Sequence, residues 1–191
     1  MGVREQQKEK RKYEILLAGL DLFIRKSYSA TKIKDIADQV GMSTGLLFHY
    51  FESKEKLYEE LIKLGVGMPM RMFENTDIEP LMFFQNAVEQ LFHYIKTEPF
   101  TAKMFVLMNQ AHYNEAAPQS IKELLKGFDV FTPTIGLIKR GQEEGTIREG
   151  DPGALAIALW CAVQGVAEHI AMDPFAPCPK GDWIIDIIRR R

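Results

Sequence analysis

The chain is expected to be all-α, with an N-terminal three-helix unit of helix-turn-helix type and a larger helical domain behind it. Three observations carry this expectation. Apolar residues recur at helical spacing over most of the 191 residues, with no convincing run of period-2 alternation. Gly and Pro separate stretches of helical length. Between Thr31 and Phe51 two short apolar-faced segments meet at a single glycine, Gly41.

The first helix is predicted over Lys8–Lys26, where Ile15, Leu16, Gly19, Leu22 and Phe23 form one apolar stripe. A second follows from Thr31, whose hydroxyl can cap it, and Ile33, Ile36, Ala37 and Val40 share its face at i, i+3, i+4, i+7 spacing. Gly41 can take positive φ without a Cβ penalty, which ends this helix and lets Ser43 cap the next at a steep angle. That next helix, Thr44–Phe51, turns Leu47 and Phe51 inward. It leaves Thr44, Gly45, Leu46, Phe48, His49 and Tyr50 outward, an apolar and aromatic set for a face in water. A helix of this size fits the major groove of B-DNA, so duplex DNA is the first partner to expect.

Ser53 can cap a fourth helix with a Leu57, Leu61, Leu64 ridge, which Gly65, Gly67 and Pro69 are expected to disrupt. The Asn75-Thr76-Asp77 cluster beyond it reads as loop. The expected organisation is therefore a DNA-binding domain at 1–53, a connecting helix at 54–65 and a second domain at 66–191. Further helices are predicted at Pro80–Thr97, Thr101–Tyr113, Pro118–Glu144 with a bend or break at Pro133, and Pro152–Met172 after Gly145. A loop at Pro174–Pro179 precedes a last helix from Asp182, whose Arg189, Arg190 and Arg191 suit the negative end of a helix dipole.

Within Thr31–Lys54 the chain resembles the TetR family of transcriptional regulators. The resemblance rests on Thr31, Ile36-Ala37, Gly41, Ser43, Gly45, Leu47, Phe48-His49-Tyr50-Phe51, Ser53, Lys54 and Leu57 in register. Leu46 and Phe48 depart from it, since the family often has a hydroxyl residue at the first position and usually Tyr at the second. Each departure removes one possible hydrogen bond to DNA, an effect on the order of 1 kcal/mol. On this reading Thr44, Gly45 and His49 touch bases; Thr31, Ser43, Tyr50 and Lys54 hold phosphates; Lys32, Leu46 and Phe48 complete the DNA-facing surface. The resemblance further implies a cavity for a small molecule in the second domain, whose occupation moves the fourth helix and separates the two reading heads of a dimer.

The Pro152–Met172 segment is apolar nearly all round, and a domain this small can scarcely cover it on every side. Its small residues Ala154, Ala158, Cys161, Ala162 and Gly165, together with Ile184, Ile185, Ile187 and Ile188, are expected to build a four-helix homodimer interface, the mode the resemblance also implies. Ala158, Ala162, Gly165, Ile184 and Ile188 are its candidate centre. For the effector, the candidates are Phe84, Phe92, Met104, Phe105, Met108, His112, Phe131 and Trp160, together with Gln164 and Glu168 one turn apart on an otherwise apolar helix. Buried polar groups need partners, and a ligand is one candidate beside internal hydrogen bonds. His93, too, is expected to sit among aromatics.

Composition narrows the classes. The hydrophobic fraction of 46% is that of a soluble globular protein. No run of about 20 apolar residues is expected to span a bilayer, and MGVREQQKEKRK lacks the apolar segment of a signal peptide, so a cytoplasmic protein is expected. Gln6 stands where a myristoylation signal wants Ser or Thr. Cys161 and Cys178 are expected to be free thiols. The net charge of −2 is unevenly spread: residues 1–54 hold ten Lys or Arg against seven Asp or Glu, a surplus of three positive charges, and residues 55–191 hold fourteen against nineteen, a surplus of five negative. Lys8, Lys10, Arg11 and Lys12 are either phosphate contacts or a solvated terminus.

No phosphate loop, nucleophile elbow or HExxH motif is present, and His49, His93, His112 and His169 stand singly. An enzyme is not expected, nor a metal or cofactor. The sequence points to a DNA-binding regulator, a repressor released by a small, largely apolar effector. A helical DNA-binding protein controlled by a protein partner, or by none, is the alternative.

Overall fold

A computed structural model describes all residues except Met1, Asn75, Ala116 and Arg191. The expectations touching Asn75 and Arg191 lie outside the described residues. The helices run in chain order as α1 (Val3–Lys26), α2 (Ile33–Gln39), α3 (Thr44–Phe48), α4 (Lys54–Met72), α5 (Pro80–Thr97), α6 (Pro99–Tyr113), α7 (Gln119–Lys126), α8 (Phe131–Glu143), α9 (Pro152–Met172) and α10 (Gly181–Ile185). Among the described residues there is no strand, only an isolated bridge between Ile147 and Arg189. The fold is thus all-α, an N-terminal helix-turn-helix domain followed by a helical C-terminal domain.

The apolar stripes form two cores. One joins α1, α2, α3 and α4 to α6 and α7 through Ile15, Leu20, Phe23, Ile36, Leu47, Leu57, Leu61, Leu107 and Ile121. The other joins α5, α8, α9 and α10 through Phe84, Val88, Ile95, Ile138, Leu159, Val163, Ile185 and Ile188. Helix α6 serves both, giving Phe100, Met104 and Leu107 to the first and Ala102 and Phe105 to the second.

The expected interruption of the fourth helix does not occur. Helix α4 continues through Gly65, Gly67 and Pro69 to Met72. Gly65 is a site of close packing, where an added Cβ would meet Met108 Sδ and lie 2.8 Å from Met104 Cε of α6. Pro69 lacks the N–H that would bond the Gly65 carbonyl, yet the flanking turns hold. A boundary at residues 65–66 therefore coincides with no break in the chain, and the first core runs straight across it.

The predicted Pro118–Glu144 helix is two helices, and the break falls before Pro133. Asp129 accepts hydrogen bonds from the N–H groups of Phe131 and Thr132 at 2.9 and 3.0 Å and so opens α8, while Pro133 sits in the first turn, where its missing N–H costs nothing. Helix α1 begins earlier than expected, at Val3, and the last helix is a single short turn. Arg189 follows that turn in the bridge to Ile147, its guanidinium bound to Asp182 and Asp186 at 2.8 Å instead of serving as a dipole partner.

Helix α9 is long and apolar enough, by length and composition, to cross a membrane, against the expectation that no segment would be. It buries Ala156, Leu159, Val163, Ala167 and Ile170 on one stripe, against α6 and α8. The opposite stripe, Ala154, Ile157, Ala158, Cys161, Gly165 and Met172, is exposed, and Trp183 of α10 is exposed nearby in sequence order. Ile188 was expected at this surface but is fully buried within the protomer, and Ile184 and Ala162 are half-buried.

Candidate nucleic-acid interface

The turn between α2 and α3 is built as the sequence implies. Gly41 has φ +65°, the left-handed conformation that ends α2, and Ser43 Oγ accepts the Leu46 N–H at 3.2 Å to cap α3. Leu47 and Phe51 anchor α3 in the core, and regular helix ends at Phe48, sooner than Phe51. The outward face carries Gly45, Leu46, Phe48 and His49, all exposed, with Leu46 and Phe48 each 47% accessible. Thr44 and Tyr50 are half-buried at its two ends, and Lys32 is exposed at the start of α2. No heavy atom other than the neighbouring Ser43 Oγ approaches the position of a Gly45 Cβ, so this face admits another molecule at backbone distance.

Tyr50 lies beside a positive groove. Arg4, Gln7, Lys8, Lys10 and Arg11 of α1 line a cleft of about 670 Å³ with Tyr50 and Glu14. Residues 4, 7, 8 and 11 fall on one helical face, a periodicity that sequence reading could have used to add Arg4 and Gln7 to this surface. Lys12 turns away, its ammonium 3.0 Å from Glu60 and over the Phe51 ring.

Two of the expected phosphate ligands, Thr31 and Lys54, are engaged within the protein. Thr31 does not cap α2; its side chain is 1% exposed and its hydroxyl donates to the Ser27 carbonyl at 2.7 Å and the Leu22 carbonyl at 3.3 Å. Capping of α2 falls to Asp35, which accepts the Lys32 N–H at 3.0 Å and whose carboxyl is held below the ordinary range chiefly by that bond. Lys54 donates to the Tyr28 and Thr31 carbonyls at 2.8 Å each, and its ammonium stands 4.3 Å from the Tyr28 ring centre. Burial pulls its pKa down. It braces the α1–α2 loop from the first turn of α4 instead of reaching outward.

Neither of two surface clefts, of about 690 and 670 Å³, is lined by any of the expected effector residues. Phe84 and Phe92 are buried in the second core and Met104 in the first, Met108 packs on Gly65, and Phe105 and Trp160 border the second core. His112 and Phe131 are on the surface, as is His93. Gln164 and Glu168 do find internal partners: Glu168 Oε1 accepts from Gln164 Nε2 at 2.9 Å and from Asn109 Nδ2 of α6 at 2.8 Å. Trp160 Nε1 donates to the buried Thr134 hydroxyl at 2.9 Å. Asn109 and Thr134 were not foreseen, because a lone polar residue on an amphipathic helix carries no mark of its partner across the core.

An exposed, capped helix after a glycine turn, on a three-helix unit with a basic flank, defines a helix-turn-helix DNA-binding protein. Residues 15–61 match the bacterial regulatory proteins of the tetR family, which marks the chain as a DNA-binding transcriptional regulator. It is similar to the HTH-type transcriptional regulator RutR of Escherichia coli K12, 26% identical over 171 residues that cover 87% of this chain and 78% of the relative. The ketosteroid transcriptional regulator KstR2 of Mycobacterium tuberculosis has a similar structure, with TM-score 0.71, 19% identity and coverage of 95% and 96% of the two chains. So has a transcriptional regulator from Saccharomonospora viridis in complex with choline, with TM-score 0.64, 20% identity and coverage of 96% and 100%.

Proposed function

We propose that this protein is a homodimeric repressor that holds a palindromic operator in the cytoplasm and is released by a small, largely apolar effector with a cationic group. The observation that carries the first half is the exposed face of α3, Thr44 to His49, one reading head per chain. A single short helix covers too few base pairs for a specific site, so two heads on a two-fold axis are needed. The exposed stripe of α9 supplies the surface for pairing, because Ala158, Cys161 and Gly165 permit close helix approach and Ile157 adds apolar area.

For the effector, support comes from Glu168. Its carboxylate is half-buried and partnered only by the neutral amides of Asn109 and Gln164, with no cation of the protein beside it among the described residues. A ligand ammonium would supply the missing charge, and the half-buried Phe105, Met108 and Trp160 the apolar wall. The Saccharomonospora viridis regulator was solved with choline, a ligand of that charge type.

Selection from random duplex DNA tests the first half: half-sites about one helical turn or somewhat more apart are expected, and recovery of asymmetric single half-sites would overturn it. For the second, tetraalkylammonium probes are titrated with and without the selected duplex. Operator affinity is expected to fall about 5- to 150-fold, with loss of the response in Glu168→Gln. A probe that binds tightly and leaves operator affinity unchanged removes the switch and leaves DNA binding intact.

A further inference from the structure

Between the C-terminal end of α1, the loop that follows it, α4 and α6 lies a cleft of about 690 Å³. Phe23, Tyr28, Tyr58 and Tyr113 give it aromatic walls, and Arg25 and Lys26 stand at its rim. Tyr28 stacks on Tyr58 with ring centres 4.6 Å apart, and Phe23 meets Tyr58 edge-on at 5.0 Å. Tyr58 is only 2% exposed, yet its hydroxyl has no hydrogen-bond partner among the described residues. Tyr58 lines the cleft, so a molecule bound there can supply a partner to its phenol.

No carboxylate lines the cleft among the described residues. Asp21 and Asp35, which pair with Arg25 and Lys26, lie outside it, and Glu55 and Glu59 near Tyr28 are tied to Ser120 and Lys56. Burial raises the Tyr28 and Tyr58 phenols, that of Tyr58 to about 12, so both stay protonated and able to donate at neutral pH. Flat walls, phenol donors and a cationic rim together select a planar anion.

We propose that this junctional cleft is a second ligand site, distinct from the one at Glu168, that takes a small aromatic carboxylate with its oxygens toward the Tyr58 hydroxyl and Arg25. The site abuts the DNA-reading unit directly. Its floor includes Ser27, Tyr28 and Ser29, and the Tyr28 carbonyl is one of the two that Lys54 holds. Ser27 adopts φ 72°, ψ 159°, a conformation populated almost only by glycine and found where surrounding structure or a ligand over-determines the backbone. Asn109 lines the same cleft while donating to Glu168, so the two sites share one side chain.

The test uses the full chain and two probes, 2-naphthoate and its neutral amide, in calorimetric titration. Saturable binding of 2-naphthoate is expected, about tenfold weaker for the amide and about tenfold weaker in Tyr58→Phe, which keeps the ring and its packing. Binding in Glu168→Gln is expected to match the wild type, which separates this site from the effector site above. No saturable binding of 2-naphthoate, equal binding of acid and amide, or full affinity in Tyr58→Phe would each overturn the proposal.

Discussion

Lys54, the first residue of α4, donates at 2.8 Å to the carbonyl of Thr31, two residues ahead of α2. A second bond to Tyr28 and the Tyr28 ring beneath the ammonium make this a three-point brace. The expected consequence of Lys54→Ala is a loss of about 1–2 kcal/mol of stability, from two charge-assisted bonds in a partly exposed setting. DNA affinity should fall with it while the log–log salt slope stays near the wild-type value. A slope reduced by about one unit would mean that Lys54 neutralises a phosphate after all.

His49 and Tyr50 are neighbours in sequence and are assigned opposite tasks. His49 is exposed on the α3 face, so His49→Ala should change which bases are preferred. Tyr50 borders the basic groove, so Lys8→Gln with Lys10→Gln should weaken binding to all sequences alike and lower the salt slope by up to about two units. Binding curves for the selected operator and a scrambled duplex at several salt concentrations separate the two effects.

Gly65 sits against Met104 and Met108 where a Cβ has no room. Gly65→Ala therefore pushes α4 from α6 or forces the two thioether chains aside. Methionines adapt, which places the expected loss near the low end for overpacking, about 1 kcal/mol by chemical denaturation. A gain in stability, the ordinary result for Gly→Ala within a helix, would show that the interface is looser than described.

Asp21 joins α1 to α6 through Lys103 at 2.7 Å and also pairs with Arg25. Burial alone would raise its carboxyl; the bonds and charges of Lys103 and Arg25 outweigh that and hold it below the ordinary range. A depressed folded pKa means stability that is fully present above about pH 4 and lost as pH falls through the folded value. Asp21→Asn should cost about 1–2 kcal/mol at pH 7, discounted for partial exposure, and progressively less toward pH 3. An equal cost at both pH values would assign the effect to packing.

Ile157 and Gly165 test the pairing surface. Ile157→Glu or Gly165→Glu places charge on the exposed stripe of α9, where neither residue supports the protomer core. Light scattering should then report a monomer with unchanged helicity, and a persistent dimer would move the interface elsewhere.

Which features were legible in the sequence follows from how locally each is encoded. Helices α5 and α9 begin at Pro80 and Pro152 as expected, because proline at the first helical position is a local signal. The Gly41 turn and the Ser43 and Ser53 caps are equally local and stand as read. Pro69 and Pro133 misled because the cost of a proline depends on whether its turn is interior and supported, which only tertiary packing decides. Thr31 and Lys54 follow the same logic: each carries groups suited to phosphate, and only the fold reveals the backbone carbonyls that engage them. Ile188 was one of several isoleucines at the chain's end, and the short final turn, not composition, sends it inward.

The unbroken course of α4 gives the molecule a lever. From Gly65, clamped against α6, to Lys54 there are eleven residues of helix, about 16 Å at 1.5 Å per residue. A tilt of about 5° at the clamp displaces the far end by roughly 1.4 Å, more than a hydrogen bond of 2.8 Å tolerates before it fails. A displacement too small to disturb either core therefore forces a choice at the tip. The loop ahead of α2 travels with Lys54 and reorients α3, or the brace parts and the reading head is left to drift.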